Sequence, residues 1–539
     1  MKLVIFIHAP IMTAMTSVSS IASWNATTLR STATPPASRE EASSLPVTTS
    51  SSTSSTIIAL GAAAAQGLAQ AVAAPLQWER ASRDQVSELM AKNFAAGSSA
   101  GRFSGLGAAL LDQLKGGVTQ LSQTAQRAPN GAQAATYAGI ATGVSGALHG
   151  MGDDKFSLGI TTNSGVEVKL SLDSDGDALA VQMTASGELT DDETRALGQL
   201  SKAFQEAIDG MAQDPPQLKL AGLMQFDAKQ LASLDLRARV GLDTQPPSVQ
   251  TLSFQADATQ RKVAFNGAAG SLDVKVDASQ AASLGRPEQQ ARAMKSYMSQ
   301  FDQAATRGHA DGALMSLFKE TFSALHTTVG DAAQLSLGGA TPGKWQLAAQ
   351  DQAMLTGLAD FSASVSQTPK MENPMRLSEQ DAFNYEVGQS TSIAGRSIDD
   401  RAISQKQTSS LSASFHMPLV AGTSLRLTTA AESQNYTYHQ IDDSARSDAN
   451  IAYKDGKLAK ATLEQSSSQS TRVQRYEMGK LKSDLTTPSE HRLLRDLVAS
   501  LAPYQAGETQ LNLEQKAQQR TQRLFELSGD VLLKADAGR

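Results

Sequence analysis

Three stretches of this chain place chemistry-bearing residue types at suggestive spacings. Gly338-Gly339-Ala340-Thr341-Pro342-Gly343-Lys344 has the G-x4-G-K spacing of a phosphate-binding loop and follows the strand-like Leu335-Ser336-Leu337. Such a loop aims successive backbone N–H groups at phosphate oxygens, and a following Ser or Thr reaches magnesium. Here Trp345 stands in the hydroxyl position and Pro342 removes one N–H, so a Gly/Pro turn is expected. Asp173, Asp175 and Asp177 have the spacing of the first half of a calcium loop. The glycine comes too early, however, and Thr184 stands where a bidentate glutamate is needed, so a hairpin turn is expected. Gly105-Leu106-Gly107-Ala108-Ala109-Leu110 has part of a dinucleotide fingerprint but lacks the third glycine and follows no strand pattern, which points to helix packing.

The seven histidines, His8, His149, His309, His326, His416, His439 and His491, are scattered, and none sits in H-E-x-x-H. His309-Ala310-Asp311 fits a helix start with Asp311 as its cap. Gly97-Ser98-Ser99-Ala100-Gly101 has the G-x-S-x-G spacing but follows a helical stripe, not a strand, so no nucleophile elbow supplies an activated serine. The carboxylate pairs Asp191/Asp192 and Asp442/Asp443 read as helix-start and turn chemistry. No catalytic, cofactor-binding or metal-ligating residue is assigned, and no cofactor is implied.

There is no cysteine in 539 residues, which removes disulfides, thiolate nucleophiles and thiolate metal sites together and suits an exported protein. The net charge of -6, with no dense Lys/Arg block, disfavours nucleic acid as a partner. No apolar run reaches the roughly 20 residues of a membrane-spanning helix. Lys2 followed by Leu3–Ile7 looks like the start of a signal peptide, but His8 and Pro10 shorten its apolar core. Ser and Thr then dominate to residue 56, a composition that cannot bury enough apolar surface to fold. A flexible, uncleaved leader of this kind suits one-step export of the type III or flagellar type; a disordered leader of a cytoplasmic protein is the alternative.

Behind the leader (1–56), residues 57–150 read as an Ala/Gly-rich helical segment. A capping box at Ser82/Gln85 opens one helix, and a stripe of Leu106, Leu110, Leu114, Val118 and Leu121 marks a second. Residues 151–370 read as an α+β core. Strands alternate over 166–172 and 179–183. Thr190 and Glu193 form a capping box before the stripe Leu197, Leu200, Phe204, Ile208 and Met211. Three strands over 251–276 and helices near 287–305 and 312–328 follow. Residues 371–485 read as an antiparallel β-rich module, with alternation at Leu411/Ala413/Phe415, Leu425/Leu427 and Tyr436/Tyr438 and a hairpin turn at Asp455-Gly456. Residues 486–539 read as C-terminal helices. Thr487-Pro488-Ser489-Glu490 caps a stripe of Leu493, Leu494, Leu497, Val498 and Leu501. A last helix over about 511–528 carries Ala517, Leu524 and Leu527 and stops at Gly529.

Asp175-Gly176-Asp177 in a hairpin, followed by Gly187-Glu188-Leu189-Thr190-Asp191-Asp192-Glu193, resembles a pattern in a group of uncharacterised bacterial proteins. In that group a DGD strand pair precedes a G-x-L-x-x-x-E helix. Phe226-Asp227 and Leu231–Leu234 extend the resemblance over about residues 155–240, and Tyr453–Leu458 is also similar. The resemblance implies an α+β fold and a bacterial source. Some of the group carry a dehydrogenase label, but the group offers no catalytic residues.

Together these features predict an α+β protein that is non-enzymatic, secreted or envelope-associated, and engaged through strand edges and amphipathic helices with a protein partner or with a second copy in a homo-oligomer. The alternative is an enzyme whose site is assembled from distant residues, with a dehydrogenase as a special case.

Overall fold

The computed structural model describes residues 76–80, 84–127, 149, 152–213, 215–242, 247–277, 279, 283–336, 347–501 and 513–536. The chain divides into two compact units, residues 1–72 and 73–539, and every described residue belongs to the second. The leader 1–56, His8, Ser82 and Gly338–Lys344 lie outside the described residues.

The strands are β1 (Leu76–Trp78), β2 (Gln120–Arg127), β3 (Asp154–Thr162), β4 (Glu167–Asp175), β5 (Ala178–Ala185), β6 (Leu231–Leu242), β7 (Ser248–Asp257) and β8 (Gln260–Gly267). They continue with β9 (Gly270–Asp277), β10 (Asp360–Gln367), β11 (Ala382–Ala394), β12 (Ala402–Pro418), β13 (Tyr436–Lys454), β14 (Lys457–Glu477) and β15 (Lys480–Asp496). Among the described residues they form one 15-stranded sheet, in the order β1-β2-β5-β4-β3-β6 and then straight on from β7 to β15. The expected mixture of helices and antiparallel strands is present, but the sheet dominates it. One ladder runs from β1 to β15.

The helices are α1 (Gln85–Asn93), α2 (Ser99–Arg102), α3 (Leu106–Lys115), α4 (Asp191–Met211), α5 (Ala221–Met224), α6 (Pro287–Gly308), α7 (Gly312–Ser336), α8 (Ala349–Ala353), α9 (Val498–Leu501) and α10 (Leu513–Asp530). α4 starts where its capping box places it: the Glu193 N–H donates to Thr190 Oγ1 (3.2 Å) and the Thr190 N–H donates to Glu193 Oε2 (2.9 Å). Its stripe of Leu197, Leu200, Phe204, Ile208 and Met211 is buried. Gly107 on α3 faces that stripe so closely that a Cβ there would stand 2.5 Å from Ile208 Cδ1, so this glycine serves helix packing.

Several local expectations are corrected. Asp84, not Ser82, caps α1, accepting from the Ser87 N–H at 2.8 Å. The helix expected to run through Leu121 ends at Lys115, because Gly117 turns the chain at φ 76 and Leu121 enters β2. Leu425 and Leu427 lie in the connection before β13, not on a strand, and Gly529 is inside α10. The helix expected behind Thr487–Glu490 is instead β15, paired residue for residue with β14, and only Val498–Leu501 is helical. The local capping chemistry is sound, but ladder bonds to β14 override it, and an edge strand tolerates Pro488. Asp442 and Asp443 sit in the middle of β13, not in a turn. Asp443 receives the Arg307 guanidinium at the end of α6, with Arg307 Nη2 2.9 Å from Asp443 Oδ1.

The helices cover one face of the sheet. Against β3–β12 they bury a core rich in aromatic rings, with Tyr297 edge-on to Phe361 at 5.1 Å and Phe301 edge-on to Phe322 at 5.1 Å. A second cluster joins Leu355, Ile403, Ile451, Leu463, Leu497, Leu527 and Val531. Beside it Arg401 makes a buried two-pronged pair with Asp351 (2.8 and 3.2 Å) and lies 3.5 Å over the Tyr453 ring.

The Glu193 carboxylate is buried, which by itself raises its pKa, but hydrogen bonds from Ser164, Thr162 and Thr190 outweigh that and bring it down to about 2. A group depressed on folding stabilises above its unfolded value of 4.5 and loses that contribution as pH falls towards 2. The stability advantage of wild type over Glu193→Gln, read from urea midpoints, is therefore expected to be constant above pH 5 and to shrink as pH falls through that window. An advantage that does not change with pH would contradict this account.

Candidate functional site

The period of two assigns each strand residue to a face. In β12–β14 the odd-numbered apolar residues Ile403, Leu411, Ile441, Ile451 and Leu463 face the helices and are buried, while Ser410, Ser444 and Arg446 face the other way and are open. At one end of these strands, even-numbered side chains are buried as well: His416, Tyr436 and Tyr438. Tyr476, which follows a register shift in β14, joins them. His416 is the cross-strand neighbour of Tyr438, and Tyr436 of Tyr476. They are covered by residues 368–381, which connect β10 to β11, and by Leu425 and Leu427.

The polar contacts converge on one imidazole. Asp381 Oδ1 lies 2.6 Å from His416 Nδ1, and Glu379 Oε2 lies 3.2 Å from His416 Nε2. Tyr436 donates its hydroxyl to Glu379 Oε2 at 2.6 Å and accepts from Asn373 Nδ2 at 2.9 Å. Asn373 and Gln434 exchange side-chain amide bonds at 3.0 and 3.1 Å, and both are fully buried. Arg376 lies 4.3 Å over the Tyr476 ring and 3.8 Å from Glu379. Burial works against charge on His416, but its two carboxylate partners win and hold the imidazolium up to about 9. Burial raises Glu379, and the bonds from His416 and Tyr436 outweigh that and lower it.

The two carboxylates bind opposite nitrogens of one ring, so they diverge and share no point where a metal ion could sit. Among the described residues no group of three or more His, Asp and Glu side chains is placed to hold a metal. Both ring nitrogens of His416 and the hydroxyls of Tyr436 and Tyr438 are hydrogen-bonded within the cluster. The arrangement is a charge-compensated latch that ties the 368–381 segment to the sheet.

The histidines singled out in the sequence go to different places. His309 caps α6 at φ 58 and stacks on Phe415 (4.7 Å), which also stacks on His439 (5.0 Å). His326 is buried on α7, where burial lowers it to about 4. His149 lies 3.5 Å from Glu79, and His491 is exposed on β15. Asp311 caps α7 through the Leu314 N–H at 2.9 Å. Asp173 is buried in β4, whereas Gly176 and Asp177 form the turn to β5.

The opposite extreme is β15. It ends the sheet with 17 residues, 13 of the first 13 exposed, among them Leu481, Leu485 and, further on, Leu494 at 50%, 64% and 69%. Met478-Gly479, both at positive φ, turn the chain into it. β1, at the other edge, has three residues. Among the described residues no helix is long and apolar enough to cross a membrane. Compared with family models, with curated proteins and with solved structures, the chain matches none.

Because His416 is raised from 6.5 to about 9, its charge stabilises fully below pH 6.5 and that contribution is lost as pH rises through 9. The stability difference between wild type and His416→Asn should therefore be largest near pH 6 and fall by pH 9.5. A difference that grows with pH would show that the ring is buried neutral.

Proposed function

We propose that this chain is a non-enzymatic binding protein whose protein partner adds an extended segment to the open edge of β15. The observation that carries this is the 17-residue edge itself, hydrogen-bonded along one side to β14 and exposed along nearly all of its length. An unpaired edge presents a row of N–H and C=O groups that another chain can complete, and alternate side chains then select the partner. Leu481, Leu485 and Leu494 supply apolar contacts, and Lys480, Lys482, Asp484, Glu490 and Arg492 supply charge of both signs. Pro488 and these charges also blunt indiscriminate pairing, which favours a selected partner over open-ended association. The cysteine-free sequence and its Ser/Thr-rich leader support an exported or envelope setting for this binding.

A photo-cross-linking residue at Ser489 is expected to capture one partner in extracts of the native host, whereas the same residue at Asn384, on the open sheet face, captures none. Thr486→Pro shares its relation to β14 with the tolerated Pro488, so it should leave the melting midpoint nearly unchanged and abolish the cross-link. Equal capture at both positions, or capture that survives Thr486→Pro in a folded protein, would refute edge binding. Capture of a second copy of the chain would replace the proposed partner with self-association.

A further inference from the structure

The helix-covered face of the sheet is not apolar throughout. One straight cross-strand row across β11–β14 reads Gln389, Gln407, Ser447 and Gln465, and these residues are 4%, 1%, 0% and 3% exposed. Buried amides and hydroxyls are costly unless partnered, so their partners explain why they are there. Apart from Gln389, the row is met by the main chain of the C-terminal segment. Gln407 Nε2 and Ser447 Oγ both donate to the Val531 carbonyl, at 2.8 and 2.9 Å. Gln465 Nε2 donates to the carbonyls of Asp530 and Leu532, at 3.0 and 2.9 Å. The Leu533 N–H donates back to Gln407 Oε1 at 3.0 Å. From α6, Gln300 Nε2 donates to the Leu533 carbonyl at 3.0 Å.

This is how a peptide ligand is held. Every group of the segment used by these bonds is main chain, so they give affinity without dictating sequence. Selectivity comes from the seats of Val531, Leu532 and Leu533, which are 0%, 8% and 3% exposed. The segment belongs to no strand of the sheet, so its departure leaves every strand pair intact. α10, which delivers it, buries only Leu524, Leu527 and Ser528 among its side chains described as buried. The segment is well buried but stands outside the ladder, and elements without ladder bonds open at lower free energy than the strands beneath them.

We infer that the Gln407–Ser447–Gln465 row is a peptide-binding trough that reads main chain, that residues 530–533 occupy it in cis, and that an extended peptide of another polypeptide with three consecutive apolar side chains exchanges with them. This does not rest on the β15 edge, which lies on the far side of β14.

The test uses the full chain carrying Val531→Asp and Leu533→Asp, which puts charge into two buried seats and so expels the segment. The probe is a fluorescent peptide with the sequence of residues 529–539. Anisotropy should show saturable binding to this variant and roughly ten-fold weaker binding to wild type, whose trough is filled in cis. Adding Gln407→Ala and Gln465→Ala should weaken binding by about ten-fold again. A variant that keeps its circular dichroism and elution volume but binds no peptide overturns the proposal, as does binding indifferent to the two glutamines. Should the variant fail to fold, hydrogen exchange on wild type decides. Amides of 531–535 exchanging about 100-fold faster than those of β12 and β13 support a releasable segment, and exchange together with those strands refutes it.

Discussion

In a continuous antiparallel ladder, side chains alternate between two faces, and this period of two governs where each feature of the protein can sit. The ladder joins strands from residue 76 to residue 496, so a slip of one residue in β12 would carry Ile403, Leu411 and Ala413 to the open side and Ser404, Ser410 and Ser412 under the helices. Among the described residues the helices cover one face. Polar side chains therefore stand in the open over most of the other face, and every exception needs a cover of its own.

Two exceptions define the chemistry. On the helix side, the glutamine and serine row is tolerated because main-chain groups of residues 530–533 and the Tyr297 hydroxyl of α6 satisfy it; at its β11 end Gln389 Nε2 reaches the Leu358 carbonyl at 3.0 Å. On the other side, the connection between β10 and β11 folds back over His416 and the three tyrosines, and the Glu379–His416–Asp381 charges hold it there. Both are places where irregular chain is fastened to the sheet by buried polar bonds, whose loss costs more than that of exposed ones. Among the described residues, positions 480–492 of β15 lie beyond either kind of cover, and its open edge follows from that.

Some of this was legible along the chain and some was not. Thr190 and Glu193 mark the start of α4 because both halves of that cap lie within four residues. Asp455-Gly456 marks the β13–β14 turn because its geometry needs positive φ at both positions, observed at 51° and 74°. The same turn built on Met478-Gly479 has no such signature, since methionine rarely adopts that conformation. Glu379 and His416 are 37 residues apart and Gln407 and Val531 are 124 apart, so no spacing rule joins them.

What the sequence determined by itself is whatever a single turn or a single alternation can encode: the caps of α4 and α7, the stripe of α4, the alternating strands over 166–183 and 251–276, and the absence of thiol chemistry. Tertiary structure decided whatever depends on which strands become neighbours. Thr487–Leu501 carries a sound helix signal, yet its residues up to Asp496 form a strand, because a row of ladder bonds to β14 outweighs one cap. Ladder partners also decided that four scattered polar residues became one row under the helices. Local propensity acts over a few residues and at most about 1 kcal/mol each, whereas pairing is summed over a whole strand.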